Sequence, residues 1–600
     1  MSKKTMLSRI AITAGLVVLA IHPIASAAAT QRPTLQRPPV VKMPPMPDLP
    51  TMPPMPPMPQ MPELGPMFPL PDLPPMPSMP PMPSMPELES MFPLPVLPPL
   101  PALPALEPGG GTGFEFVEMP QRDTRRKQIE REVAGNGRLV MLAASSANIR
   151  VVTTTTDTVR IAVDLEYWSN DEEWMTAVDA EFDIEVDENS RRIMFEPTSM
   201  PDLGRQGWFE RMFNSRRVSF ELDVTLEVPA GTPLTLENRY GDITVDGVGG
   251  PANINNTSGA VEIIGAVGNV TIENRYGDVT ASGIEGDLDL NVSSGALTID
   301  TVTGDADITN SYGDIGLVHV SGAVVIKVTS GAVTAEDIGG RTQITGSYGD
   351  VEALSISGAL EVEVTSGSVT IRSARQGVDL WTSYGSIDVE DVTGDFESRG
   401  TSTEGSVRGV SGSVRMENSY GDLLIEGAGG TVMVENQSGA VTITGAGGDT
   451  RVSSSYAAVR ASEITGSLEV QGTSMGVTAD NVSGAIEVRT SYEGVTLRNV
   501  GGAISVVNQS GAVNVSGLRG DALTAHHAIE TSYANIAFDF PREGGAPAFQ
   551  LETTYGQIGS DFEGSREERG SRQLMQSAPG APGASITLTA RNGSIQLRQR

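Results

Sequence analysis

Cysteine is absent from the 600 residues, which excludes disulfide staples, thiolate metal sites, a thiol nucleophile and a lipid-bearing cysteine. Aromatic residues make up only 5% of the chain and tryptophan occurs 4 times, so large-ring cores of the kind packed helices build are not on offer. Positive charge is scarce: 41 Lys and Arg face 74 Asp and Glu, a net charge of −33 that repels nucleic acid and anionic lipid rather than attracting them. No apolar run reaches the ~20 residues that a membrane-spanning helix requires. What is abundant is glycine, at 67 residues, together with Ser, Thr and Val, a composition of strands and turns.

Residues 1–27 read as a bacterial secretory signal peptide. Lys3, Lys4 and Arg9 form the charged start, Ile10 to Ile21 the apolar stretch, and Ala25-Ser26-Ala27 a small-residue cleavage site, in the order such leaders require. The expected localisation is exported, periplasmic or at the cell surface. Residues 28–112 are a Pro- and Met-rich, low-complexity rod or linker. From Val40 to Leu106 every third residue is apolar, as in Met43, Met46, Leu49, Met52, Met55, Met58 and Met61, and proline usually follows. Polyproline II has three residues per turn, so the pattern predicts one apolar stripe along a stiff rod of about 200 Å. Three readings of that stripe stand: a spacer, a docking strip for a partner, for another copy of the rod or for the chain's own β-domain, and a thioether site for Cu(I). No His or Cys lies near enough to strengthen the third. Gly109-Gly110-Gly111 ends the rod as a joint.

Residues 113–237 are expected to form an N-terminal β-rich cap. The charged run Gln121 to Val133 is helix-compatible, whereas Arg138 to Ala144, Ile149 to Trp168, Phe182 to Phe195 and Val218 to Leu236 alternate like strands. Phe209 to Arg217 is expected as a basic projecting loop. If the chain holds a substrate pocket, it belongs in this cap, between Trp168 and Arg217.

From Asn238 to Ala525 the sequence repeats every 36 residues without an inserted or deleted position. Tyrosine marks the period at Tyr240, Tyr276, Tyr312, Tyr348, Tyr384, Tyr420, Tyr456 and Tyr492, and serine stands halfway between, so the structural unit is 18 residues and sixteen units fit. Numbered from the residue two before the Tyr or Ser, apolar side chains recur at positions 6, 8, 11, 15 and 17 and glycine favours 4 and 13. The spacing of two is strand alternation and the glycines mark corners. Eighteen residues cannot hold two helices, and a propeller blade needs about 40. What remains is an all-β, single-stranded parallel β-helix of about sixteen coils, taken as right-handed because crossovers are. At position 3 the Tyr and Ser admit two readings: rings alternating with hydroxyls to fill an inner wall, or an outward ladder that binds a glycan or a polyproline rod. Asp at position 5 (Asp242, Asp278, Asp314, Asp350, Asp422) reads as turn-capping in preference to a calcium row, since calcium wants six to eight oxygens and each coil offers one carboxylate.

Residues 526–600 form the C-terminal coils and cap. The register slips there, with Tyr533 41 residues after Tyr492. His526 and His527, adjacent in a strand, should point to opposite faces, in a terminal-cap turn. Phe549 to Ile558 and Ile586 to Leu597 read as closing strands, with the polar stretch Gly559 to Gly583 between them disordered.

With Val228-Pro229-Ala230, Leu234-Thr235-Leu236-Glu237-Asn238, the recurring Tyr-Gly-Asp and Ser-Gly-Ala turns, and the closing Ile586-Thr587-Leu588-Thr589-Ala590-Arg591-Asn592-Gly593-Ser594-Ile595, residues 138–600 resemble the bacterial "putative adhesin" β-strand-repeat family, a domain of unknown function in envelope proteins. The resemblance implies a right-handed β-helix at the cell envelope and brings no catalytic residues. Sixteen coils without an insertion leave no long turns to wall a catalytic groove, and no GxSxG, HExxH or phosphate-loop pattern occurs. The sequence therefore points to a secreted, non-enzymatic adhesive or scaffolding module, with no cofactor, metal or nucleic acid, no membrane span, and an unidentified partner such as a cell-surface protein or glycan. The alternatives are a periplasmic envelope-stress or assembly component that docks a partner or self-associates through the rod, and, third, a polysaccharide-acting β-helix enzyme.

Overall fold

The structure, a computed structural model, describes residues 124–201, 217–578 and 583–600. The leader, the Met/Leu-Pro rod and the expected loop from Phe209, apart from Arg217, lie outside the described residues, so the readings made of them stand as expectations.

Across the repeats the chain forms a parallel β-solenoid. Each coil contributes two strands, exemplified by Ile315–Val320 and Val324–Ser330, and each strand pairs in parallel with the residues 18 before and after it, Ile315 with Leu297 and Val333, Val324 with Ala306 and Thr342. The five apolar positions face inward as their spacing predicts: Ile315, Leu317, Val320, Val324 and Ile326 are all at most 1% exposed. Each such side chain stabilises by roughly 1.5–3 kcal/mol on burial, and it is buried by the coils above and below, so a coil holds its fold only within the stack.

Two corners and one bend shape every coil. At position 4 glycine adopts a φ that other residues avoid, +132° at Gly313. A Cβ there would stand 2.1 Å from the carbonyl oxygen of Gly295, its counterpart in the preceding coil. The glycines at position 13 are held the same way, Gly322 against the Gly304 carbonyl. Position 10 carries a bend not read from the sequence although seven of its sixteen residues are Gly and four Asp or Asn: it is left-handed throughout, whether the residue is Gly283 (φ 66°), Thr301 (φ 61°), His319 (φ 58°) or Ser355 (φ 56°). That conformation costs an ordinary residue roughly 1–2 kcal/mol, so the stacked strands on either side impose it. Where the corner Asp gives way to Ser386 and Glu404, the strand runs straight through as Val378–Val392 and Phe396–Val410.

The N-terminal segment folds as β1 (Arg125–Ala134), β2 (Leu139–Ala143), β3 (Asn148–Thr154), β4 (Thr158–Ser169), α1 (Glu172–Glu181), β5 (Ile184–Glu188), β6 (Arg192–Pro197) and β7 (Val218–Pro229). The charged run expected as a helix is strand β1. It pairs antiparallel with β4 from Thr158 to Tyr167, because β4 alternates apolar residues over twelve positions and an unpaired edge beside it would be left open; the alternating charges of β1 then suit it to the exposed edge. β2 and β3 are a further solenoid rung, pairing in parallel with 234–240 and 243–246 on one side and with β6 and β7 on the other. Helix α1 begins on an Asp171 cap and buries Trp174 against Tyr167, ring centroids 6.1 Å apart.

At the other end the register slip has a simple cause. A five-residue insertion forms the 3-10 turn Gly520–Leu523, after which the solenoid resumes with His526–Thr531 and Ile536–Phe540. The pair of histidines divides as the strand geometry requires, His527 fully buried and His526 exposed. The last strands, Ser585–Ala590 and Ile595–Gln599, fold back between 526–540 and 548–560, pairing in parallel with both. The polar stretch expected as disordered contains a hairpin, Ser565–Arg569 with Arg572–Gln576, whose second strand closes the open edge of Ala548–Thr553. Covering that edge rewards order in a segment with little apolar content of its own.

Candidate functional site: an outward tyrosine row

Strict alternation through positions 15, 17 and 1 would carry position 3 inward. The corner glycine at position 4 turns the chain before that happens, and all eight repeat tyrosines lie outside, 53–61% exposed. The inner-wall reading is thereby overturned. The row is also longer than the repeats. Tyr533 and Tyr555 are 62% and 72% exposed and occupy the same corner, as the pairing shows: the amide of Tyr555 donates to the carbonyl of Arg591 at 2.8 Å, that of Asn592 to Ser532 at 2.9 Å. Because the C-terminal strands fold back between them, the spatial order is Tyr533, Asn592, Tyr555, and the alternation of ring and small side chain continues although chain order breaks it. At the near end Ala147 is hydrogen-bonded to the carbonyl of Tyr240 at 2.9 Å, which places Ser146 at the small position below the first ring. Of the 11 tyrosines in the chain, only Tyr167 is buried, at 1% exposure.

Three devices fix the corners of Tyr240, Tyr276, Tyr312 and Tyr420, and the other ring-bearing corners have one, two or none of them. Glycine at position 4 lets successive backbones touch. At position 1 an inward asparagine, unremarked by its polarity in the sequence, ties the corner from beneath: Asn310 Nδ2 donates to the carbonyls of Gly295 at 3.0 Å and Gly313 at 3.1 Å, and Asn256, Asn274 and Asn436 do likewise. At position 5 the aspartate accepts from the amide one coil on, Asp314 from Ala332 at 2.9 Å and Asp350 from Ser368 at 2.8 Å. These carboxylates are turn staples, as read from the sequence. Side chains whose rings are held on such a frame lose little further freedom on contact with a ligand.

The strip beside the row at position 2 reads Arg239, Thr257, Arg275, Ser293, Ser311 and Thr329 in the first six repeats and Ser, Thr or Gln in all the rest. No carboxylate occurs on it in a chain of net charge −33, and none of these residues is buried. Shallow grooves open along this side, one of about 430 Å³ bordered by Asn255, Thr257, Glu273, Arg275 and Ser293, another of about 380 Å³ bordered by Glu417, Ser419, Glu435, Gln437 and Ser455. The sequence holds this signal, a position free of acids through sixteen units, but it stands out only once the neighbouring ring is known to face outward.

Other chemistry-bearing groups do not gather. His319 lies exposed between Asp300, 3.0 Å from Nδ1, and Asp337, 3.7 Å from Nε2, and the hydrogen-bonded Asp300 carboxylate pushes its imidazole above the ordinary value. Burial pushes the His527 imidazole down, although its Nε2 donates to the Ala522 carbonyl at 2.7 Å. Among the described residues no three His, Asp or Glu side chains are grouped to hold a metal ion. A groove of about 580 Å³ crosses the coils from Thr431 to Ala528, with Asp449, Arg451, Glu469 and His526 on its rim, far in sequence from the cap where a pocket was expected. The docking-stripe methionines Met43, Met46, Met52, Met55, Met58 and Met61 lie outside the described residues.

Residues 139–426 match the Toastrack DUF4097 family. No curated protein matches the chain. Among solved structures it is similar to a putative cell adhesion protein from Clostridium sporogenes, at 7% identity over 79% of this chain and 100% of the other, with a TM-score of 0.12. It is similar also to a putative lipid binding protein from Parabacteroides distasonis, at 12% identity over 51% and 96%, TM-score 0.18, and to a putative adhesin from Bacteroides fragilis, at 15% over 50% and 96%, TM-score 0.13.

Proposed function

We propose, from the match of residues 139–426 to the Toastrack DUF4097 family, that the chain is an exported, non-enzymatic binding module of the cell envelope, adhesive or scaffolding, whose contact face is the tyrosine row. The family is one of unknown function, so the reading rests on the face itself. A single exposed ring needs no explanation, but ten in line, four of them (Tyr240, Tyr276, Tyr312 and Tyr420) on corners with all three devices, form an aromatic surface that the fold does not require. Serine occupies the same corner on the intervening rungs, so the fold accepts a small side chain there. Tyrosine combines a large apolar area with a hydroxyl and only two side-chain torsions, which suits it to contact surfaces. The non-enzymatic part is supported by the uninterrupted coils, whose only insertion within the parallel stack after Asn238 and before Phe540 is the turn at Gly520–Leu523.

The test replaces Tyr312, Tyr348, Tyr384 and Tyr420 by serine together and measures retention of the purified full chain on envelope preparations. Each ring contributes as a contact of about 1 kcal/mol or more, so the quadruple variant is expected to bind at least about a hundredfold more weakly with its circular dichroism and melting unchanged. Retention equal to that of the unaltered chain would remove the row from the account.

A further inference from the structure

The rings recur on every second rung, so their spacing is twice the strand separation, about 9.6 Å. We propose that the row is a receptor for a polyproline II segment bearing an apolar side chain at every third residue. The inference rests on the reading of the row as the contact face and names the class of ligand.

Three observations carry it. The first is metrical. A polyproline II helix advances about 9.3 Å in one turn of three residues. One apolar side chain per turn therefore meets the gap left above each serine rung, between successive rings, while the intervening prolines lie against the ring faces. The mismatch of roughly 0.3 Å per turn adds up to less than a third of one repeat along the whole row. Rings on every rung would stand about 4.8 Å apart and close those gaps, so the alternation of Tyr and Ser is what makes the surface fit.

The second is the polarity of the strip at position 2. A polyproline II backbone makes no hydrogen bonds of its own, and its prolines bring carbonyls without amides. Such a ligand needs donors. The strip supplies guanidinium groups at Arg239 and Arg275 and hydroxyls or side-chain amides elsewhere, all able to donate, and it carries no carboxylate of its own, with Glu273, Glu417 and Glu435 bordering the grooves beside it.

The third is that sequence of the required chemistry is encoded in the same chain: Met52, Met55, Met58 and Met61 stand at intervals of three with proline after each of them. Recognition of a periodic ligand by a periodic row is also multivalent, each added turn raising the effective concentration of the next.

The experiment titrates the full chain into a labelled synthetic peptide of repeated Met-Pro-Pro and follows fluorescence anisotropy. The comparison peptide is repeated Met-Pro-Pro-Pro, which keeps the backbone conformation but moves the methionines off one face. Expected are tighter binding as Met-Pro-Pro repeats are added, at least about tenfold weaker binding of the period-four peptide, and a similar loss when Tyr312, Tyr348 and Tyr384 are replaced by serine. No binding, equal binding of the two peptides, or binding indifferent to the serine replacements would overturn the inference. Tyrosine-dependent binding of a neutral β-linked oligosaccharide in place of the peptide would also overturn it while leaving the contact face standing. Failure of the contact face itself is read separately, in the envelope-retention assay.

Discussion

Gly313→Ala is expected to destabilise the solenoid by about 4 kcal/mol or more, at the extreme of single substitutions. The added methyl carbon would stand 2.1 Å from the Gly295 carbonyl oxygen and 2.6 Å from its carbon, and these are backbone atoms that cannot rotate aside. Gly295 is in turn pressed against Gly277 in the same way, so relief of the clash requires several coils to part. The backbone at φ +132° is moreover one that side-chain-bearing residues rarely adopt, Ala457 at φ 147° being an instance at this position. Gly316→Ala in the same coil is the control: the methyl group would meet nothing nearer than the Leu297 carbonyl oxygen at 3.8 Å, on an outward strand position, and should change stability by no more than about 1 kcal/mol. Because a solenoid unfolds by neighbouring units rather than as one body, amide exchange over residues 292–327 reads the difference most cleanly. Similar exchange in the two variants would contradict the packed glycine corner.

The second large effect separates the number of rings from their spacing. Deleting residues 310–327 removes one coil and one tyrosine and leaves Ser294 and Ser330 on adjacent rungs. Deleting 310–345 removes two coils and again one tyrosine, Tyr312, but restores Tyr–Ser alternation across the junction. Both cuts fall at equivalent points of the 18-residue unit, so both products should fold with their inward positions in register. In the first, Tyr276 and Tyr348 come to lie three rungs apart, about 14 Å, against about 10 Å elsewhere. A ligand that spans the row is then cut in two, with loss of up to about a hundredfold in avidity, whereas the longer deletion should cost only the share of one ring. Envelope retention measured on both deletions decides the matter. Equal losses would mean that rings act singly and that their spacing has no part in recognition.

How much of this was open to sequence reasoning depends on which contacts are local. The coil was legible because positions 6, 8, 15 and 17 alternate over short strands and the glycines at 4 and 13 interrupt them at fixed places. The direction of position 3 was not. Its neighbours Asn310 at position 1 and Gly313 at position 4 decide it jointly, the first by facing inward despite its polarity and the second by turning the chain early. The bend at position 10 is signalled by Gly, Asp or Asn in eleven of sixteen units and masked in the others, where Thr301, His319 and Ser355 adopt a conformation that their own preferences oppose. The strands of both ends were read, but the helix expected over 121–133 and the disorder expected over 559–583 were wrong, and the pairing was missed, for one reason: the partners are distant in sequence. Strands 139–143 and 148–154 complete a rung with residues more than ninety positions away, and 585–599 slip between segments that precede them. The strand at 125–134 likewise owes its conformation to β4 and nothing to its own charged, helix-compatible sequence.

The central claim is that ten tyrosines stand outward in one row and the eleventh is buried. Modifying the native full chain with a tyrosine-selective reagent and mapping the adducts by mass spectrometry tests this directly. The account predicts rapid modification of Tyr240, Tyr276, Tyr312, Tyr348, Tyr384, Tyr420, Tyr456, Tyr492, Tyr533 and Tyr555 at comparable rates, with Tyr167 protected until the chain is unfolded. Protection of the repeat tyrosines to the level of Tyr167 would place the rings inside the wall and contradict it.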